Sequence, residues 1–116
     1  MQYMLMIFED EANYAGGEDS AAFQAIVAAH GALVEQMSAA GVMRGGAGLL
    51  PSATATTVRT RNGKVSMHDG PWAETREQLG GFYLIEVDTL DEALAWAQKI
   101  PMAADGSIEV RPTIPE

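Results

Sequence analysis

The chain contains no cysteine. That removes disulfides, zinc–thiolate sites and thiol nucleophiles from consideration, and it fits a reducing compartment. Basic residues are scarce: seven Lys and Arg stand against sixteen Asp and Glu, for a net charge of −9. Such a charge repels a phosphate backbone, and no local basic cluster offsets it. Neither nucleic acid nor an anionic membrane surface is therefore expected as a partner. No apolar run approaches the roughly 20 residues needed to span a bilayer. The opening MQYMLMIFED turns acidic too soon for a secretory leader and lacks a basic start. These absences describe a soluble protein, most simply a cytoplasmic one. What is present is enough for folding: 116 residues, 47% of them apolar, suffice for one domain with one core over residues 1–116.

Tyr3 to Phe8 reads YMLMIF, apolar on both parities and closed by Glu9-Asp10-Glu11. The spacing predicts a buried strand. A long helix is predicted from about Ser20 to Ala40, with Asp19 or Ser20 as its cap and Gly41 as its stop. Phe23, Ile26, Val27, His30, Leu33, Val34 and Met37 form one stripe along it. Gly45 to Ser52 lacks the Lys-Ser/Thr ending of a phosphate loop and does not fit a dinucleotide fingerprint, so it reads as a plain turn region. No other redox or cofactor motif appears, and no cofactor is expected.

Thr54 to Met67 carries the clearest local pattern, two β-prone runs flanking Asn62-Gly63. A two-residue turn there pairs Arg61 with Lys64, Thr60 with Val65, Arg59 with Ser66 and Val58 with Met67. One hairpin face is then apolar, and the other carries Arg59, Arg61, Lys64, Ser66 and His68. Asp69 has apolar-face parity if the strand runs that far. Gly81 to Val87 is the next strand, with Phe82 and Leu84 on one side and Tyr83, Ile85 and Val87 on the other. Thr89 to Glu92 forms a capping box for a second helix ending at Pro101, and Ser107 to Arg111 is the last strand.

Strand, helix, hairpin, strand, helix, strand is the order of an α+β, ferredoxin-like sandwich: an antiparallel sheet with two helices on one face. Two helices cover one face only. Because YMLMIF and FYLIEV are apolar on both, the second face is expected to meet a second copy in a homodimer.

His30 sits mid-stripe and should face the sheet, either as a core histidine bonded to a carbonyl or as a base. Asp69, if buried, needs a partner, and His30 is one of few residues able to serve. His68 reads as a surface or cleft histidine. Gly70-Pro71 fixes a turn that aims Asp69 and Trp72, and Trp72 either walls a pocket or packs the loop. Glu74, Arg76 and Glu77 suit loop-holding ion pairs. Arg44 and Arg59 are the cations available to an anionic ligand. His30, His68, Asp69 and Glu74 show no spaced ligand pattern, so no metal is expected.

The run HDGPWAETREQLGGF, His68 to Phe82, resembles the DGPFAETKEQLGGF signature of the DGPF, or YCII-related, proteins. YMLMIF, PSATATTVR and SIEVRP are similar too, so the resemblance covers essentially the whole chain. Trp72 stands where that family has phenylalanine and Arg76 where it has lysine. The resemblance implies a dimeric α/β barrel, a superfamily that includes small isomerases, lyases and cofactor-free oxygenases. It further implies a helix histidine paired with a carboxylate after the hairpin, here His30 with Asp69, able to act as a general base with an orienting carboxylate. DGPF genes often neighbour extracytoplasmic-function sigma factors, which implies a regulatory alternative. Three functions follow as expectations: a cofactor-free lyase or isomerase on a small organic substrate, a non-enzymatic small-ligand or protein-binding module, and a structural dimer. If the His30–Asp69 pair forms, the carboxylate raises the His30 pKa unless burial outweighs it.

Overall fold

In the computed structural model, which describes all 116 residues, the opening apolar run is the strand β1, Gln2–Asp10. Its exposure alternates along its length: Tyr3, Leu5, Ile7 and Glu9 are buried, while Met4, Met6 and Phe8 are partly covered. The remaining elements are α1 (Ala21–Ala39), β2 (Met43–Gly48), β3 (Thr56–Arg61), β4 (Lys64–Asp69), β5 (Glu77–Glu86), α2 (Leu90–Ala97) and β6 (Gly106–Pro112). Four strands form one antiparallel sheet in the order β2-β5-β1-β6, and β3 and β4 form a separate two-stranded sheet. Without β3 and β4 the order is strand-helix-strand, strand-helix-strand. This is the expected ferredoxin-like arrangement, with the hairpin as an insertion between β2 and β5.

The caps explain where the helices begin. Ser20 Oγ accepts from Phe23 N at 3.1 Å, and Thr89 Oγ1 accepts from Glu92 N at 3.2 Å. Each is an oxygen satisfying a donor that the first turn leaves unpaired. Leu33 and Met37 of α1 and Ala93 and Ala97 of α2, with Ile100 just beyond it, close over Tyr3, Leu5, Ile7, Tyr83, Ile85 and Val87. Burying each large apolar side chain of this set contributes about 1.5–3 kcal/mol. Val27 belongs to the predicted stripe but is 53% exposed, because the sheet meets mainly the C-terminal half of α1. Met4, Met6, Phe8, Phe82 and Leu84 line the opposite sheet face, which neither helix reaches.

The hairpin register is the predicted one, Arg61 to Lys64 through Val58 to Met67. Asn62 and Gly63 both take positive φ, 52° and 74°, as a type I′ turn requires. The reading of Gly45–Ser52 as a plain turn is corrected. Met43–Gly48 is an edge strand paired with β5, from Met43 opposite Ile85 to Gly48 opposite Gly81. Its glycines hide the strand pattern, and one of them is required by packing. A Cβ on Gly46 would lie 2.7 Å from the Phe82 carbonyl oxygen and 3.1 Å from the Tyr83 ring.

That close approach gives a paired test. Gly46→Ala should cost about 1–3 kcal/mol in urea unfolding, as overpacked sites do. Gly48→Ala, with nothing within 4 Å of its new methyl, should stay within about 0.5 kcal/mol of wild type. Equal effects would show that β2 does not press on Tyr83.

Candidate functional site

The segment after β4 is shaped by its own short contacts. β4 does extend to Asp69, opposite Thr56, so Asp69 has the parity of Val65 and Met67. Gly70 follows with φ 113°, a conformation that disfavours any side chain. Its N–H donates to the Ala55 carbonyl at 2.7 Å, and its carbonyl accepts from Thr57 Oγ1 at 2.8 Å. Arg59 Nη2 donates to the Trp72 carbonyl at 3.0 Å. Gln78 Nε2 donates to the Ala73 and Thr75 carbonyls at 2.9 and 3.1 Å, and Arg76 Nε meets Asp10 Oδ2 at 3.2 Å. The loop is thus tied to the hairpin root on one side and to the end of β1 on the other.

Between these ties lies an open cleft of about 500 Å³. Asp69, Pro71, Glu74, Arg76 and Gln78 line one side of it, and Asp10, Glu11 and Ser52 the other. Two of its four carboxylates are already engaged. Asp10 accepts from Ala12 N at 2.9 Å and from Arg76, which together hold it below the usual carboxylate range. Glu11 accepts from Ser52 N at 3.0 Å. Asp69 and Glu74 are exposed and accept no hydrogen bond from the chain, so their oxygens are free for a donor arriving from solvent.

His30 lies elsewhere. It is half-buried on α1, with Nδ1 2.6 Å from the Tyr83 hydroxyl and its ring stacked on Tyr83 at a centroid distance of 5.8 Å. The nearby carboxylate is Glu9, buried to 8% exposure on β1, which accepts a hydrogen bond from the Tyr14 hydroxyl. Burial lowers the His30 pKa below 6.5, against the opposing pull of Glu9 and of the Pro101 carbonyl. Burial also raises Tyr83, and burial with the Glu9 bond pushes Tyr14 up to about 12. At neutral pH His30 is a neutral imidazole bonded to a protonated phenol, that of Tyr83.

The expected His30–Asp69 pair is therefore corrected for the single chain: His30 bonds Tyr83, and its carboxylate neighbour is Glu9. The physical reason is that Asp69 belongs to a sheet of its own, so its parity refers to the hairpin and not to the main core. His68 is exposed on β4, and Trp72 is 75% exposed. Arg44 turns back on the Gly41 and Met43 carbonyls at the end of α1, away from the cleft. Arg59 is a loop tie. Glu9 escaped the sequence reading, although its parity with Tyr3, Leu5 and Ile7 marks it as inward-facing. The chain places no three His, Asp or Glu side chains where they could hold a metal ion together.

A family model described as the YCII-related domain matches residues 1–116. The chain is also 38% identical over 117 residues to "Uncharacterized protein R00369" of Rhizobium meliloti (strain 1021). That alignment covers 97% of this chain and 91% of the relative.

The two histidines make His30 accessible to NMR titration. Because its folded pKa is lowered, the stability it protects is complete above the unfolded value near 6.5. That stability is lost as pH falls from there through the lower folded value. Unfolding midpoints measured from neutral pH downward should drop through this window in wild type and drop less in His30→Gln. Glu9→Gln should move the His30 titration lower still, and Asp69→Asn should leave it in place. A His30 midpoint at or above 6.5 would contradict the dominance of burial.

Proposed function

Because the chain belongs to the YCII-related family, and its DGPF-type segment builds one cleft, we propose that this cleft binds a small polar organic molecule. The observation that carries the reading is the pair of free carboxylates, Asp69 and Glu74, in a lining made mostly of polar and charged residues. Acceptors of this kind select a ligand rich in donors, an amine or a polyhydroxylated compound. The chain's charge of −9 attracts a cationic ligand from a distance. A regulatory module would use the same cleft without turnover.

A second reading, a cofactor-free lyase or isomerase, is favoured by the state of His30. Burial keeps the imidazole neutral at neutral pH, which is the form a general base needs. In that reading Tyr83 orients the ring, and His30 takes a proton from the carbon of a substrate bound beside it rather than in the Asp69 cleft. The reading also needs a second copy against the Met4, Met6, Phe8, Phe82 and Leu84 face, giving the dimeric barrel that the sequence resemblance implies.

A metabolite library screened by thermal shift tests the binding reading. Hits should lose about tenfold or more in affinity, about 1.4 kcal/mol, in Asp69→Asn with Glu74→Gln. The exposed substitutions themselves should change stability by only about 0.5 kcal/mol. Unchanged affinity would exclude the cleft. Turnover is tested at the other centre: among the library compounds incubated in D2O, a substrate should exchange a carbon-bound proton with wild type and not with His30→Gln. Absence of exchange in wild type for every compound would leave binding without catalysis.

A further inference from the structure

The hairpin shows the wrong face to the solvent. Thr57 and Arg59, on its polar parity, are partly covered and bond the Gly70–Trp72 loop. Val58, Val65 and Met67, on its apolar parity, are 61%, 64% and 76% exposed. β3 and β4 pair only with each other, and a lone two-stranded hairpin is marginally stable in water. The insertion also stretches the molecule. Its radius of gyration is 15.8 Å, against about 13 Å for a compact chain of this size.

We propose that the β3–β4 hairpin is an arm whose outward apolar face docks on the body of a second copy of this chain. Charge identifies the occupant. The arm, Thr56–Asp69, holds Arg59, Arg61 and Lys64, three of the seven basic residues, and only Asp69 of the sixteen acidic ones. It therefore carries +2, and the rest of the chain carries −11. Two bodies of like charge repel, and the arm supplies the opposite sign beside a strip of Val and Met that needs covering. Arg61 and Lys64 stand at its tip with no acidic partner in their own chain, placed to reach carboxylates of the other copy. The inference rests on the self-association proposed above and adds a contact that the open sheet face does not provide.

Sedimentation velocity at micromolar concentration tests it with three variants. Wild type should sediment as a dimer. Val65→Glu with Met67→Glu should raise the dimer Kd at least about tenfold while leaving the thermal unfolding of the monomer unchanged, since both side chains are exposed. Arg61→Glu with Lys64→Glu should also weaken the dimer and remove its weakening by added salt. Met6→Glu reports the sheet face separately. A wild-type dimer that Met6→Glu breaks and Val65→Glu/Met67→Glu leaves intact would overturn the arm and spare the sheet-face reading. A wild-type monomer would overturn both.

Discussion

The organisation of this domain depends on β1 and on the alternation of its side chains. One parity, Tyr3, Leu5 and Ile7, meets both helices and supplies the core. The other parity, Met4, Met6 and Phe8, stays apolar on a face that no helix reaches. At the end of the strand the alternation reaches two acids, Glu9 and Asp10, and Glu11 follows just beyond it. Glu9 turns inward to Tyr14, near His30, while Asp10 and Glu11 line the outer cleft. Consecutive residues of one strand thus serve two separate polar centres, and no rearrangement of a loop is needed to divide them.

The two centres differ in how water reaches them. Around His30, desolvation outweighs a neighbouring carboxylate, and the imidazole is held neutral with its hydrogen-bonding satisfied by Tyr83. That is the behaviour of a core histidine and also of a poised base; the distinction lies in whether a substrate can displace the Tyr83 contact. In the cleft, solvent screens each charge, and the Arg76–Asp10 ion pair is too exposed to add much stability. Its value is positional, since it ties the loop to the end of β1. The segment that carries the free carboxylates is fixed by the Gly70 N–H, which donates to the Ala55 carbonyl, and by the Gln78 side chain, which donates to the Ala73 carbonyl.

Much of this was legible in the sequence. Asn62-Gly63 fixed the hairpin register residue by residue, and alternation placed Tyr83, Ile85 and Val87 on one side of their strand, the side that the helices bury. Two features were hidden for definite reasons. β2 is nearly all glycine and alanine after Arg44, so it has no side-chain pattern to read. It is a strand because β5 offers its backbone partners and because Tyr83 leaves room only for hydrogen at position 46. The placement of Asp69 failed because parity tells which face of its own sheet a residue occupies. It says nothing of how a detached hairpin is turned, and here the hairpin turns its apolar side outward.

Backbone amide NMR with a cleft ligand from the metabolite screen tests the central claim most directly. Binding should shift the signals of Asp10, Glu11, Ser52 and the segment from Asp69 to Gln78, leaving Tyr83 and His30 in place. Shifts centred on His30, Tyr83 and Glu9, with the Asp69–Gln78 signals still, would contradict it and move the functional site to the helix side of the sheet.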